Sequence, residues 1–303
     1  MVLPSAGAWP NELGPGPSPF SWRKMALRGL HWVEDVLGEE LQARLAQAGG
    51  TGNEVGFDPF GFDPQVGRYA LAAAALLYRV YFRTQAFGLE QLPPGRTLIV
   101  ANHSGQLPLD GMMIGTALLL DADPPRLPRS MVERWSAKLP FVSTFLPRAG
   151  QVVGSPDNAR RLLEREETLV VFPEGAAGIA KPFEKRYQLE SFGPGFVRLA
   201  LETGTPIVPT AVIGAEEQYI SVANLRPLAR LLGMPSFPVV PQCLVTGLLP
   251  LPTRYRLHFG TPLRLEGDPD DDDAAIAAQV WQVRAAVQSL VHHGLRQRRH
   301  VFY

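Results

Sequence analysis

Short apolar runs alternate with longer amphipathic stretches over most of this chain. The runs near residues 97–101, 148–153, 168–172, 206–213 and 254–260 are brief and rich in Val, Ile and Leu, the pattern of buried strands. Between them, residues 110–121, 131–138, 156–166 and 190–203 place apolar side chains at helical spacing. Strands separated by helices predict an α/β fold: a largely parallel central sheet flanked by helices. In such sheets ligands bind at the carboxyl ends of the strands. A last amphipathic helix is predicted over 272–298. It starts in the acidic run Asp270–Asp273 and ends in the basic run Arg296–His300, as the helix dipole favours.

The N-terminal part reads differently. Residues 1–20 are rich in Pro and Gly and predict a disordered arm. Ser21 is a plausible helix cap, and Phe20, Trp22, Met25, Leu30 and Trp32 make the following stretch amphipathic as far as Gly49-Gly50. A loop with Phe57, Phe60 and Phe62, either a greasy surface or tucked on the core, leads to a second helix over about 64–84. The expected organisation is an arm (1–20), an N-terminal helical extension (21–84) and an α/β domain (85–303).

Composition narrows the function classes. Lys plus Arg and Asp plus Glu both number 29, so charge gives no reason to expect a nucleic-acid partner. The single cysteine, Cys243, excludes an intrachain disulfide and is expected to be buried and inert. No apolar stretch reaches the ~20 residues that cross a bilayer, and the start of the chain lacks the pattern of a secretory signal. A cytoplasmic protein, peripheral to a membrane if it handles lipid, is the expectation.

The chemistry concentrates at two predicted strand ends. The run Thr97-Leu98-Ile99-Val100 leads into Ala101-Asn102-His103-Ser104, with Asp110 a few residues on. The imidazole of His103 titrates in the range a general base needs, and Asp110 can fix its tautomer. The run Thr168–Phe172 ends in Pro173-Glu174-Gly175, and Glu174 is suited to orienting a substrate hydroxyl or to a capping role. Gly175 and Gly178 can expose backbone N–H groups. No Gly-x-Ser-x-Gly elbow is present, so the base is expected to activate a hydroxyl, an amine or a water rather than a protein nucleophile. The remaining histidines lack the spacing of metal ligands, and neither a metal nor a cofactor is expected.

The blocks Asn102-His103 with Asp110 and Phe172-Pro173-Glu174-Gly175, with Gly150-Gln151-Val152-Val153 between them and Pro206–Thr210 after them, resemble the glycerolipid (lysophospholipid) acyltransferase superfamily over roughly residues 85–260. The resemblance implies transfer of a fatty acyl group from an acyl thioester, acyl-CoA or acyl-carrier protein, to a glycerolipid or lysophospholipid hydroxyl. It implies His103 as base, Asp110 as its partner and Glu174 as an acceptor-placing residue.

Three features depart from the family pattern. Six residues separate His103 from Asp110, more than in the usual block. Ala176-Ala177 and Gly154-Ser155 stand where the family carries an arginine. Those arginines are suited to an acceptor phosphate, so their loss favours a neutral acceptor. The pattern is most similar to the diacylglycerol acyltransferase and transmembrane-protein-68-like branch. Lys181, Lys185 and Arg186 are candidates to replace the missing charge, and Gly175, Lys181 and Arg186 join Glu174 as candidate acceptor-binding residues. The two N-terminal helices, with Trp22, Trp32, Tyr78, Tyr81 and Phe82, are candidates for membrane docking. The same dyad would serve a thioester or lipid-ester hydrolase, and a non-catalytic lipid-binding protein is the third reading.

Overall fold

The computed structural model describes residues 38–48, 58–104, 107, 109–133, 141–231 and 236–302. The expected arm, Trp22, Trp32, Phe57 and most of the first N-terminal helix lie outside these residues.

A helical segment over 38–47 (α1) and α2 (Pro64–Leu76) precede the sheet. Asp63 caps α2 through the N–H groups of Gln65 and Val66, and Pro64 occupies the first turn, where a missing N–H costs nothing. α2 runs on through a π-helical turn, Leu77–Tyr81. One face of this helix packs on the core, while Tyr69 and Val80 are exposed. Tyr78 and Phe82 are fully buried, the Tyr78 hydroxyl bonds Asp121 at 2.5 Å, and the Tyr81 hydroxyl bonds the Pro250 carbonyl at 2.5 Å. Among the described residues no helix is long and apolar enough to cross a membrane.

The strands are β1 (Gln85–Phe87), β2 (Thr97–Ala101), β3 (Arg129–Val132), β4 (Val152–Val153), β5 (Thr168–Val171), β6 (Ile207–Ile213), a small hairpin of β7 (Ala223–Asn224) and β8 (Pro238–Val239), and β9 (Arg256–Phe259). The seven-stranded sheet has the order β1-β9-β6-β2-β5-β3-β4. From β6 to β4 all neighbours are parallel; β9 runs antiparallel to β6, and β1 follows β9. β2 and β6 are buried at every position, the signature of central strands covered on both faces. The fold is the largely parallel, helix-flanked sheet expected.

The helices are α3 (Leu109–Leu120), α4 (Val142–Arg148), α5 (Pro156–Glu164), the short α6 (Ala176–Ile179), α7 (Gly195–Thr203), α8 (Arg226–Leu231), α9 (Cys243–Thr246) and α10 (Asp273–Gln297). α10 buries Ile276, Val283, Val287, Val291 and Gly294 along one stripe. Gly294 lets it approach the sheet, because a Cβ there would lie 2.1 Å from Ile213 and 2.6 Å from His258. Asp272 caps this helix through the Ala275 N–H. Cys243 is half-buried at the start of α9, not sealed in the core.

Two expected elements changed. The helical reading of 131–138 begins inside β3; the rest of that stretch lies outside the described residues. Arg129 opens this strand fully buried. Its guanidinium pairs with Asp58 and, at 2.8 Å, with Glu167, and these pairs tie the 58–62 loop to the sheet. Phe62 is accordingly buried and Phe60 half-buried against the core. The strand expected over 148–153 is only Val152–Val153, because α4 occupies the chain through Arg148.

Candidate active site

The site is built where β2 ends. Asn102, the first residue after the strand, extends the β2–β6 ladder with its side chain: its Nδ2 donates to the Val212 carbonyl at 3.0 Å, and its Oδ1 accepts from the Val212 N–H at 2.7 Å. Both partners are buried, so the strand end has one position and His103 leaves it in one direction. Reading for catalytic residue types passes over Asn102; a polar side chain directly after four buried apolar positions is the available signal.

His103 and Asp110 come together across the longer loop. Asp110 sits in the first turn of α3, fully buried. Its Oδ2 bonds His103 Nδ1 at 2.7 Å and accepts the Ser104 N–H at 2.9 Å, and its Oδ1 accepts the Gly111 N–H at 2.8 Å. Three hydrogen bonds fix the orientation of the carboxylate. The His103 ring stacks on Phe172, centroid to centroid 4.3 Å. With Nδ1 engaged, Nε2 is the other ring nitrogen, and the side chain is 13% exposed. Burial pushes the imidazole pKa down, but the charge and hydrogen bond of Asp110, with Glu174 behind it and Lys181 opposing, leave it raised above the ordinary 6.5.

Glu174 and Lys181 hold other groups in place. Glu174 is buried; its Oε1 accepts the His103 N–H at 2.9 Å, and its Oε2 accepts from the Glu190 N–H at 2.7 Å and from Lys181 Nζ at 3.2 Å. Lys181 spends its remaining donors on the Gln188 carbonyl at 3.1 Å and on Glu216 at 3.2 Å. Both side chains are thus engaged by partners within the protein. Arg186 is exposed and lies over the Phe183 ring, 4.4 Å from its centroid.

Behind this network Glu216 is pushed up to about 7 by burial, against the pull of Lys181. The neighbouring Glu217 receives Arg298 at 2.7 Å and the Tyr187 hydroxyl, which also accepts the Gly214 N–H at 2.9 Å. The carboxylates of Glu216 and Glu217 thus tie the turn after β6 to the 181–190 segment and to the end of α10.

The two glycines make local backbone bonds. The N–H of Gly175 bonds the Phe172 carbonyl at 2.9 Å, and that of Gly178 bonds the Gly175 carbonyl at 3.1 Å, so neither is offered to a ligand. Gly175 supplies a positive φ of 53° for the turn into α6. Gly178 supplies room: a Cβ there would come within 2.9 Å of the His103 Cβ and 3.0 Å of its carbonyl oxygen. At the positions lacking arginine, Ser155 caps α5 through the Asn158 N–H at 3.2 Å, and Gly154 donates to the Val132 carbonyl at 2.9 Å.

The model of the Acyltransferase family matches residues 83–213, the stretch from just before β1 through β6 that carries His103, Asp110 and Glu174. An uncharacterized protein of Mycobacterium leprae is 37% identical over 255 residues, spanning 81% of this chain and 70% of that protein. The chain belongs to the acyltransferase family. A Mycobacterium tuberculosis relative of this acyltransferase, also uncharacterized, is 37% identical over 256 residues, covering 81% of this chain and 71% of the relative. A mouse protein, named a DGAT1/2-independent enzyme synthesizing storage lipids, is 22% identical over 217 residues, which are 70% of this chain and 60% of the mouse protein. Among solved structures, the 1-acyl-sn-glycerophosphate acyltransferase PlsC from Thermotoga maritima overlays this acyltransferase with a TM-score of 0.49 at 18% identity, covering 92% of this chain and 99% of that one.

Proposed function

We propose that this acyltransferase moves a fatty acyl group from an acyl thioester, acyl-CoA or acyl-carrier protein, to the hydroxyl of a neutral glycerolipid, working peripherally on a membrane. The observation that carries the reading is the His103–Asp110 contact at 2.7 Å, which commits Nδ1 and leaves Nε2 as the base. The acceptor hydroxyl gives its proton to Nε2 as its oxygen attacks the thioester carbonyl carbon. The tetrahedral intermediate then expels the thiolate, which takes the proton back from the imidazolium. Acyl transfer this way consumes no cofactor. The thioester is already activated, so base, orientation and charge stabilisation suffice, and the base supplies about 10²–10⁴-fold of the rate.

Asp110 holds the tautomer and stabilises the imidazolium. Glu174 and Lys181 act as positioning residues: Glu174 fixes the His103 backbone and Lys181 fixes Glu174. A neutral acceptor is favoured because Lys181 is consumed within the protein and Ala176, Ala177, Gly154 and Ser155 replace the cationic positions. The mouse relative, named as an enzyme synthesizing storage lipids, supports the same acceptor class.

The test is product analysis from labelled long-chain acyl-CoA with monoacylglycerol, diacylglycerol or lysophosphatidate as acceptor. Labelled di- or triacylglycerol, with little phosphatidate, is the expected result. Free fatty acid formed at the same rate whatever the acceptor would make the protein a hydrolase instead.

A further inference from the structure

β6 and β9 are antiparallel neighbours, a pair that a tight hairpin can join, yet residues 214–255 intervene. This excursion contains the β7–β8 hairpin, α8 and α9. It pairs its polar groups inward. The Gln242 side chain bonds the Gln218 carbonyl at 2.8 Å and the Ile220 N–H at 3.0 Å, Val222 N–H bonds the Val239 carbonyl at 2.9 Å, and the Tyr81 hydroxyl fastens Pro250 from α2's side.

Tyr219 and Tyr255 are buried, but several other apolar side chains point outward. Around α9, Leu244 is 91% exposed, Val245 88% and Leu248 74%; Leu231, at the end of α8, is 82% exposed. Monomeric soluble proteins scatter such residues singly, and a run of them on an anchored element marks a contact surface.

Charge identifies the partner. The excursion's carboxylates, Glu216 and Glu217, are buried and paired with Lys181 and Arg298, while Arg230 is exposed and Arg254 half-buried. An exposed apolar cluster accompanied only by cationic side chains suits the interface of an anionic bilayer, with apolar groups entering the acyl boundary and arginines meeting phosphates. Placement agrees. The excursion leaves the carboxyl end of β6, the same sheet edge where β2 delivers His103, and Asn102 clasps Val212 there. It is joined to the segment after Lys181 by the Phe183 N–H on the Ser221 carbonyl at 2.9 Å.

We propose that the excursion, through Leu244, Val245 and Leu248 with its arginines, docks this acyltransferase on anionic phospholipid membranes and so brings the catalytic edge to a lipid acceptor. The proposal rests on the lipid-acceptor reading above, but its test is separate.

The full chain is sedimented with vesicles of phosphatidylcholine alone or with phosphatidylglycerol. The wild type is expected to bind the anionic vesicles, less so at high salt. The pair Leu244→Glu and Val245→Glu is expected to weaken binding by about ten-fold or more. Trp281→Glu, which alters an exposed aromatic on α10 away from the excursion, is expected to leave it unchanged. Acyl transfer to detergent-dispersed acceptor should survive in the double variant, which shows that the fold is intact. Equal vesicle binding by the double variant and the wild type would overturn the proposal. So would a double variant that changes only the mass of the free protein in sedimentation velocity, which would make a second copy of the chain the occupant. A wild type that ignores both vesicles yet acylates dispersed acceptor would reject membrane docking while leaving the acyl-transfer chemistry standing.

Discussion

Asn102 holds Val212 by both of its backbone groups, so the last hydrogen bonds between the two central strands are made by a side chain one residue before the histidine. Removing that side chain leaves a buried N–H and a buried carbonyl without partners, a cost of about 1–3 kcal/mol for each. Asn102→Ala is expected to lower the melting temperature, and also to lower kcat more than it raises KM, because His103 loses its fixed point of departure. A melt together with steady-state kinetics checks both. A destabilised variant with wild-type kcat would show that the clasp serves the sheet alone.

Asp110 raises the pKa of His103 as well as orienting it. The base works unprotonated, so activity is expected to rise with pH through a value above 6.5 and then level. Asp110→Asn removes the charge that raises this pKa while nearly keeping the shape. Its acid limb should move to lower pH, and its plateau should fall by about 10²–10⁴-fold as the tautomer is lost. A pH profile of kcat/KM for the two proteins reads both effects, and an unmoved limb would detach Asp110 from the titration.

Gly178 lies against His103 with no space for a methyl group. Gly178→Ala must displace either the histidine or α6, and overpacking of this kind costs about 1–3 kcal/mol. Reduced acyl transfer at unchanged acyl-CoA affinity is expected. Wild-type activity in a folded Gly178→Ala protein would mean that the histidine need not sit where Glu174 holds it.

Glu216 gives the fold a pH dependence of its own. Its folded value of about 7 stands above its ordinary 4.5, so the folded state holds this proton more tightly than the unfolded chain. Its contribution is complete below about pH 4.5 and is lost as pH rises through about 7. Glu216→Gln should flatten the stability curve across that window in denaturant titrations at several pH values. An unchanged slope would assign the pH dependence elsewhere.

The parts of the site that were legible are those written locally. An apolar run followed by Asn-His, and another followed by Phe-Pro-Glu-Gly, placed two motifs at strand ends, and both strands formed side by side in register. The His103–Asp110 pair survives its longer spacing because the chain turns back into α3 and sets the carboxylate in the helix's first turn. The roles of Glu174 and Lys181 were not legible. Their partners lie at His103, Glu190, Gln188 and Glu216, in separate segments that only the folded sheet edge assembles. β1 escaped notice because three half-exposed residues carry no periodicity, and β3 because Arg129 is accepted in the interior only through Asp58 and Glu167. The excursion after β6 was equally hidden: exposure of its leucines is a property of the fold, not of the residue order.

As the proposed base, His103 Nε2 takes the proton of an acceptor hydroxyl. The most direct measurement is thiol release from long-chain acyl-CoA, followed with and without diacylglycerol or monoacylglycerol, for the wild type and for His103→Ala. Acceptor-dependent release by the wild type is expected, falling by at least about 10²-fold in a folded His103→Ala protein. Acceptor-dependent release of equal rate in both proteins would contradict it.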